Sequence, residues 1–168
     1  MEAIYATDSN NGLSKNGTLP WNSKKDLKFF MNMTINNVVI MGKNTYFSLP
    51  KRPLKDRLNI ILTRKSLEPF HGSNIIFTSD DKIIEDIINN REKYSTTYPS
   101  LNKNFKIFII GGRNIYEQFI PLCEKVWITR IKQNYDCDLS FYYDFSKQFK
   151  EEIIDEDDEL KIIKYEKF

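Results

Sequence analysis

The chain has 168 residues, 40% of them hydrophobic and 29% charged, with a formal net charge of +2. That length holds one domain with a sizeable core, residues 1–168, and so small a net charge argues against nucleic acid or an anionic membrane surface as partner. The two cysteines, Cys123 and Cys137, make neither a disulfide framework nor a metal-ligand pattern; no apolar run reaches membrane-spanning length and the start, with Glu2 and Thr7, is not a signal peptide, so the expected place is the cytosol.

In chain order, short apolar runs at 3–6, 38–41, 59–62, 75–77, 106–110 and 126–131 read as buried strands. Runs so apolar suit a sheet covered on both faces, hence a largely parallel one. Helical stretches fall between them, at 24–34, 43–48, 81–90 and 113–119; the third carries Ile83, Ile84, Ile87 and Ile88 as an apolar stripe. The polar stretch 91–104 reads as a surface loop. Residues 150–154 and 160–167 flank the acidic run 155–159 and predict a hairpin that adds antiparallel strands at a sheet edge. The fold class is therefore α/β: a single doubly wound, mostly parallel sheet with an antiparallel C-terminal hairpin and helices on both faces.

The first predicted helix follows Leu19-Pro20-Trp21-Asn22 and opens at Ser23, a good N-cap. At 100° per residue Asp26 lies about 60° from Phe29 and about 40° from Phe30. An acid flanked by two phenylalanines is partly withdrawn from water, which suits a group that holds or feeds a proton; the plainer alternative is that it complements the positive helix end. Gly111-Gly112 follows a strand and precedes a helix, as Gly42 does before Lys43-Asn44-Thr45, and Thr63-Arg64-Lys65 follows a third strand. Ligands of open α/β sheets bind beyond the carboxyl ends of the strands, so three anion-friendly strand ends suggest a ligand with several phosphates, although each alone could be a solvated turn. No P-loop spacing is present. The one histidine, His71, reads as an exposed turn residue, which leaves no nucleophilic triad.

Taken in order, residues 12–21 (Gly-Leu-Ser-Lys-Asn-Gly-Thr-Leu-Pro-Trp), Asp26, residues 39–45, residues 57–64, residues 110–116 and Thr129 resemble dihydrofolate reductase over nearly the whole chain. The resemblance implies reduction of 7,8-dihydrofolate to 5,6,7,8-tetrahydrofolate with NADPH, hydride going to C6 and a proton to N5, to supply one-carbon units for thymidylate and purine synthesis. It implies that Asp26 binds the pteridine and assists protonation, that Trp21 holds an ordered water, and that Thr129 hydrogen-bonds behind Asp26. Ile4, Tyr5, Leu27, Phe30, Leu49, Leu54 and Ile110 would form the apolar walls, and Arg57 would take the substrate's glutamate α-carboxylate as a bidentate pair. Ala6, Gly17, Gly42, Lys43, Thr45, Thr63, Arg64, Gly111, Gly112, Arg113, Asn114, Ile115 and Tyr116 would line NADPH, with a cis Gly111–Gly112 bond. The loop 11–18 would close over the nicotinamide. Antifolate binding, a monomeric state and no metal complete what the family implies.

The sequence departs from the family pattern at Tyr5, where many members have a small residue, so a narrower pocket is expected there. Lys51 stands as an insertion, and 91–104 is longer than in compact bacterial members. Two rival readings are another reductase of this fold acting on a phosphorylated pyrimidine, against which Asp26 and Arg57 speak, and a folate- or nucleotide-binding protein without turnover.

Overall fold

The computed structural model describes residues 1–64 and 70–168. Its elements run β1 (Glu2–Thr7), β2 (Gly12–Ser14), α1 (Lys24–Thr34), β3 (Val38–Gly42), α2 (Lys43–Ser48), β4 (Leu58–Leu62), β5 (Phe70–His71), β6 (Ile75–Thr78), α3 (Ile83–Asn89), α4 (Arg91–Thr97), β7 (Ile107–Ile109), α5 (Arg113–Phe119), a 3₁₀ turn (Ile120–Leu122), β8 (Lys125–Ile131), β9 (Leu139–Ser140), β10 (Phe149–Glu156) and β11 (Leu160–Lys167). Among the described residues the main sheet has nine strands in the order β10-β11-β8-β1-β7-β3-β4-β6-β5. Strands β8, β1, β7, β3, β4 and β6 are mutually parallel; β11 and β10 continue antiparallel at one edge and β5 pairs antiparallel at the other. This is the doubly wound, mostly parallel sheet with a C-terminal hairpin that the apolar runs predict.

Both faces of the sheet are apolar, yet the period of two still sorts the side chains. Ala3, Tyr5, Val38, Ile40, Leu58, Ile60, Ile107 and Ile109 join one core, with Ile84 and Ile87 of α3, Tyr94 of α4, and Tyr116 and Phe119 of α5. Ile4, Val39, Met41, Ile61, Phe108 and Ile110 join the other, against Phe29, Phe30 and Met33 of α1 and Tyr46 of α2. Helices therefore cover both faces.

The stretch 91–104, expected as a loop, opens with helix α4. Its packing signal is Tyr94, Tyr98 and Leu101, all buried at i, i+4 and i+7, set among Ser95, Thr96 and Thr97, which disguise it. The Tyr94 and Tyr98 rings stack 6.2 Å apart, and the Tyr94 hydroxyl donates to Asp86 Oδ2 at 2.5 Å, which joins α4 to α3. His71 lies in the short strand β5 rather than in a turn, and is exposed. The separate two-stranded sheet of β2 and β9 has no signal among the apolar runs, because two- and three-residue strands are too short to show periodicity.

Candidate active site

Because six neighbouring strands are parallel, their carboxyl ends share one rim. That rim carries Ala6 on β1, Thr129 beside it on β8, Gly42 at the end of β3, Thr63 after β4, and Ile110-Gly111-Gly112 after β7. Backbone bonds bind the rim together: the Gly42 N–H donates to the Gly111 carbonyl at 2.8 Å and the Thr63 N–H to the Thr78 carbonyl at 3.0 Å.

Asp26 reaches the rim from α1. Ser23 caps the helix, its Oγ accepting from the Asp26 N–H at 3.2 Å, and the side chain that follows is only 8% exposed. Burial pushes the Asp26 carboxyl above the ordinary carboxylate range. Thr129 and Trp21, which favour the charged form, pull it back in part, and the nearby charge of Glu159 raises it further. Thr129 is 2% exposed and Trp21 6%. The Trp21 indole N–H is buried without an acceptor among the described residues, so this corner presents a donor, a hydroxyl and a carboxyl of raised proton affinity to whatever enters it.

Beyond Asp26 the rim turns apolar. Ile4, Phe30, Leu49, Leu54 and Ile110 belong to one cluster, while Leu27, next to Asp26, and Met31, one turn further along α1, stand about half exposed. A wall of large apolar side chains left open to solvent suits a flat hydrophobic ligand. At its far end Arg57 is 7% exposed. Its Nε donates to the Lys55 carbonyl at 2.9 Å and an Nη to Thr34 Oγ1 at 3.2 Å. Among the described residues no carboxylate lies within ion-pair distance of it, and burial holds its pKa below the usual value, with Asp56 acting against that. A buried guanidinium short of an anion is a receptor for one.

On the other side of the rim α2 and α5 both start at glycine, Gly42 and Gly112, so neither N-cap residue supplies a side-chain cap bond. The Gly111–Gly112 peptide bond is cis. A Cβ at position 112 would stand 3.3 Å from Thr45 Oγ1, and one at 42 would stand 3.4 Å from Ile115; glycine keeps this surface open. Lys43, Arg64, Arg113 and Asn114 are exposed, Thr45, Thr63 and Ile115 half-buried. Lys65 lies outside the described residues.

Tyr5 faces away from the apolar wall, and Gly17 lies in an exposed turn. The Tyr5 ring is on the sheet face opposite Ile4, 4.7 Å from the Tyr116 ring and 5.9 Å from Phe141, so alternation along β1 turns it away from the apolar wall. Gly17 is exposed at φ +79° in the turn 15–18, where the Lys15 and Thr18 backbones pair and the Asn16 N–H donates to Asp138 Oδ2 at 2.8 Å. Thr34 braces Arg57 and is not among the residues the resemblance marks. It follows Asp26 and Phe30 at i+8 and i+4, a spacing legible in the sequence.

A family pattern described as dihydrofolate reductase matches residues 1–167. The chain is 36% identical over 152 residues to the viral dihydrofolate reductase of Saimiriine herpesvirus 2, covering 84% of this chain and 68% of that one. It is 35% identical over 161 residues to the dihydrofolate reductase of Bos taurus, covering 88% and 81%, and 33% identical over 146 residues to that of Ureaplasma parvum, covering 87% and 84%. The solved structure of the Enterococcus faecalis dihydrofolate reductase complexed with NADP(H) and RAB-propyl superposes with a TM-score of 0.71 at 23% identity, over 99% of this chain and 95% of that one, a likeness of fold. With relatives above 30% identity along most of its length and a family pattern that spans it, the chain belongs to the dihydrofolate reductase family.

Proposed function

We propose that residues 1–168 act as one dihydrofolate reductase domain that reduces 7,8-dihydrofolate to 5,6,7,8-tetrahydrofolate with NADPH. The observation that carries the reading is the Asp26 carboxyl, buried at the carboxyl-end rim of the sheet beside Trp21 and Thr129, with an apolar wall that Phe30 of its own helix shares with Ile4, Leu49, Leu54 and Ile110. Bound NADPH supplies the hydride. Asp26 holds the pteridine's amidine-like edge and raises the proton affinity of the site so that N5 is protonated. Thr129 and Trp21 orient Asp26, and the Trp21 N–H holds a water. Ile4, Leu27, Phe30, Leu49, Leu54 and Ile110 enclose the rings, and Tyr5 acts through its backbone and the layer behind it. Arg57 takes the glutamate α-carboxylate.

The residues present suit a dinucleotide. Glycine caps at 42 and 112 leave backbone donors open where a side chain at 112 would press on Thr45 and one at 42 would meet Ile115. Lys43 and Arg64 offer cations near the adenosine end, and Ala6, Gly17, Thr63, Arg113, Asn114, Ile115 and Tyr116 complete the groove. Among the described residues no helix is long and apolar enough to cross a membrane. The proposal includes a cytosolic monomer that antifolates inhibit by occupying the same pocket. Loss of NADPH absorbance on adding dihydrofolate, with stoichiometric tetrahydrofolate, tests it; no turnover by the folded protein would overturn it.

A further inference from the structure

Strand β10 carries a bulge close to the site. Ile153 pairs with Ile163 and Asp155 with Ile162, so Ile154 has no partner. Strand β11 aligns Ile162 with Thr129, and β8 aligns Thr129 with Ala6. Cross-strand partners project to the same face, so Ala6, Thr129, Ile162 and Asp155 form one row across four strands. In a regular ladder Ile154 would end that row and Asp155 would turn to the other face. The bulge instead puts an acid on the face that Asp26 meets.

Lys25, the residue before Asp26, takes hold of it. Its Nζ lies 2.9 Å from Asp155 Oδ2 and 2.7 Å from Asp157 Oδ2. Asp157 is fixed in turn, its Oδ1 accepting from the Glu159 N–H at 2.8 Å and the Leu160 N–H at 2.9 Å. The Lys25 bond, aided by these, holds the Asp157 carboxyl down at about 2. Two fixed points thus bracket Asp26: the Ser23 cap on its N–H and a lysine clamp onto a turn 132 positions away in the chain. The pairs are exposed, with Lys25 37% open and the two carboxylates 50% and 42%. Exposed pairs contribute little to stability, so this clamp matters through placement and charge.

We propose that Lys25 is a positioning residue for Asp26: by bridging Asp155 and Asp157 it seats the first turn of α1 on the Thr129 row and offsets the negative charge that the hairpin turn presents to Asp26. The inference rests on Asp26 being the proton-handling group of the reductase. Charged groups stand on each element packed near Asp26, and Glu159 of the hairpin turn is the one whose charge acts on it directly. Its own helix brings Lys24, Lys25 and Lys28. The hairpin turn brings Asp155, Asp157, Asp158 and Glu159. Arg130 follows Thr129 on β8 and so points to the opposite face, where it donates to Thr7 and Asn11, and Lys132 pairs with Glu156 at 2.7 Å. Tyr135 packs its ring on Trp21. Of the cations, Lys25 is the one held between two carboxylates of the turn.

The variants Lys25→Gln, Lys25→Arg and Glu159→Gln test this in the NADPH-loaded protein. Two readouts are followed: the pH midpoint of single-turnover hydride transfer, and the titration of the Asp26 carboxyl by carbon NMR, assigned with Asp26→Asn. Removing the cation leaves the turn's acids uncompensated, so Lys25→Gln moves both midpoints up by about 0.3–1 pH unit, for charges roughly 10 Å apart at an effective dielectric constant of about 80 to 25. Glu159→Gln moves them down, Lys25→Arg keeps the wild-type midpoints, and high salt erases the differences. Coincident midpoints for Lys25→Gln and wild type at low salt, or an equal shift in Lys25→Arg, would overturn the proposal. An Asp26 titration that moves in a protein without dihydrofolate turnover keeps the clamp and removes the reductase reading; normal turnover with an unmoved titration removes the clamp alone.

Discussion

The Tyr116 hydroxyl donates a hydrogen bond to the Ile4 carbonyl oxygen, 3.2 Å away. It ties α5, which begins at the Gly112 cap, to the strand that carries the apolar wall, from within a layer that also holds Tyr5 and Phe141. Burial keeps the Tyr116 phenol protonated far above its ordinary range, and Tyr5 adds to this, so the donor is present at every working pH. Tyr116→Phe removes that bond with little change in volume. A loss of about 1 kcal/mol is expected, which lowers the melting temperature by roughly 2–4 °C in a chain of this size. A thermal melt of the variant decides it; an unchanged melting temperature would mean the bond adds nothing.

Asp26→Asn should reduce turnover at neutral pH by about 10²–10⁴-fold, the usual worth of assisted proton transfer, with NADPH affinity nearly unchanged. The same change should stabilise the fold. Burial raises the Asp26 pKa above its ordinary 3.8, so the folded state holds this proton more tightly than the unfolded one. The stability linked to that proton is fully present below pH 3.8 and is lost as pH rises through the folded value. At neutral pH the buried charge is therefore a cost, which asparagine removes. Melting curves should show the variant more stable at neutral pH and level with wild type below that range. Equal stability across the whole pH range would refute the buried-charge account.

For Arg57→Ala the ligands should separate. Truncating one partner of a buried charge pair costs roughly 2–5 kcal/mol, so folates bearing glutamate should bind far more weakly. Diaminopyrimidine inhibitors without a glutamate should bind almost as before. Titration calorimetry with both ligand types checks this, and equal losses would give Arg57 a structural role in the turn before β4.

Lys43→Ala combined with Arg64→Ala should erase the preference for NADPH over NADH. Two charge-assisted contacts at roughly 1.5–3 kcal/mol each correspond to a preference on the order of 10²-fold or more. Both side chains are exposed, so salt should erode the preference in the wild type. Cofactor affinities measured at two ionic strengths test this; parallel weakening of both cofactors would clear these residues of the role.

Much of this was readable from local order. The apolar runs at 38–41, 59–62 and 126–131 announce buried strands, because parallel strands lose solvent on both faces and need no polar alternation. The Ser23 cap and the Asp26, Phe30, Thr34 spacing are consequences of helix geometry within a few residues. Partners distant in sequence were decided by the tertiary structure alone. Tyr5 turns from the apolar wall because the pleat assigns it the face of Tyr116, a residue of another helix. Helix α4 forms in a polar stretch because Tyr94, Tyr98 and Leu101 find cover only once α3 and the sheet are in place. The clamp of Lys25 on Asp155 and Asp157 depends on a bulge that exists only in the pairing of β10 with β11. Periodicity and capping act through neighbouring residues and are written in order along the chain, whereas register, face and long-range charge pairing are set by chain segments that meet only on folding.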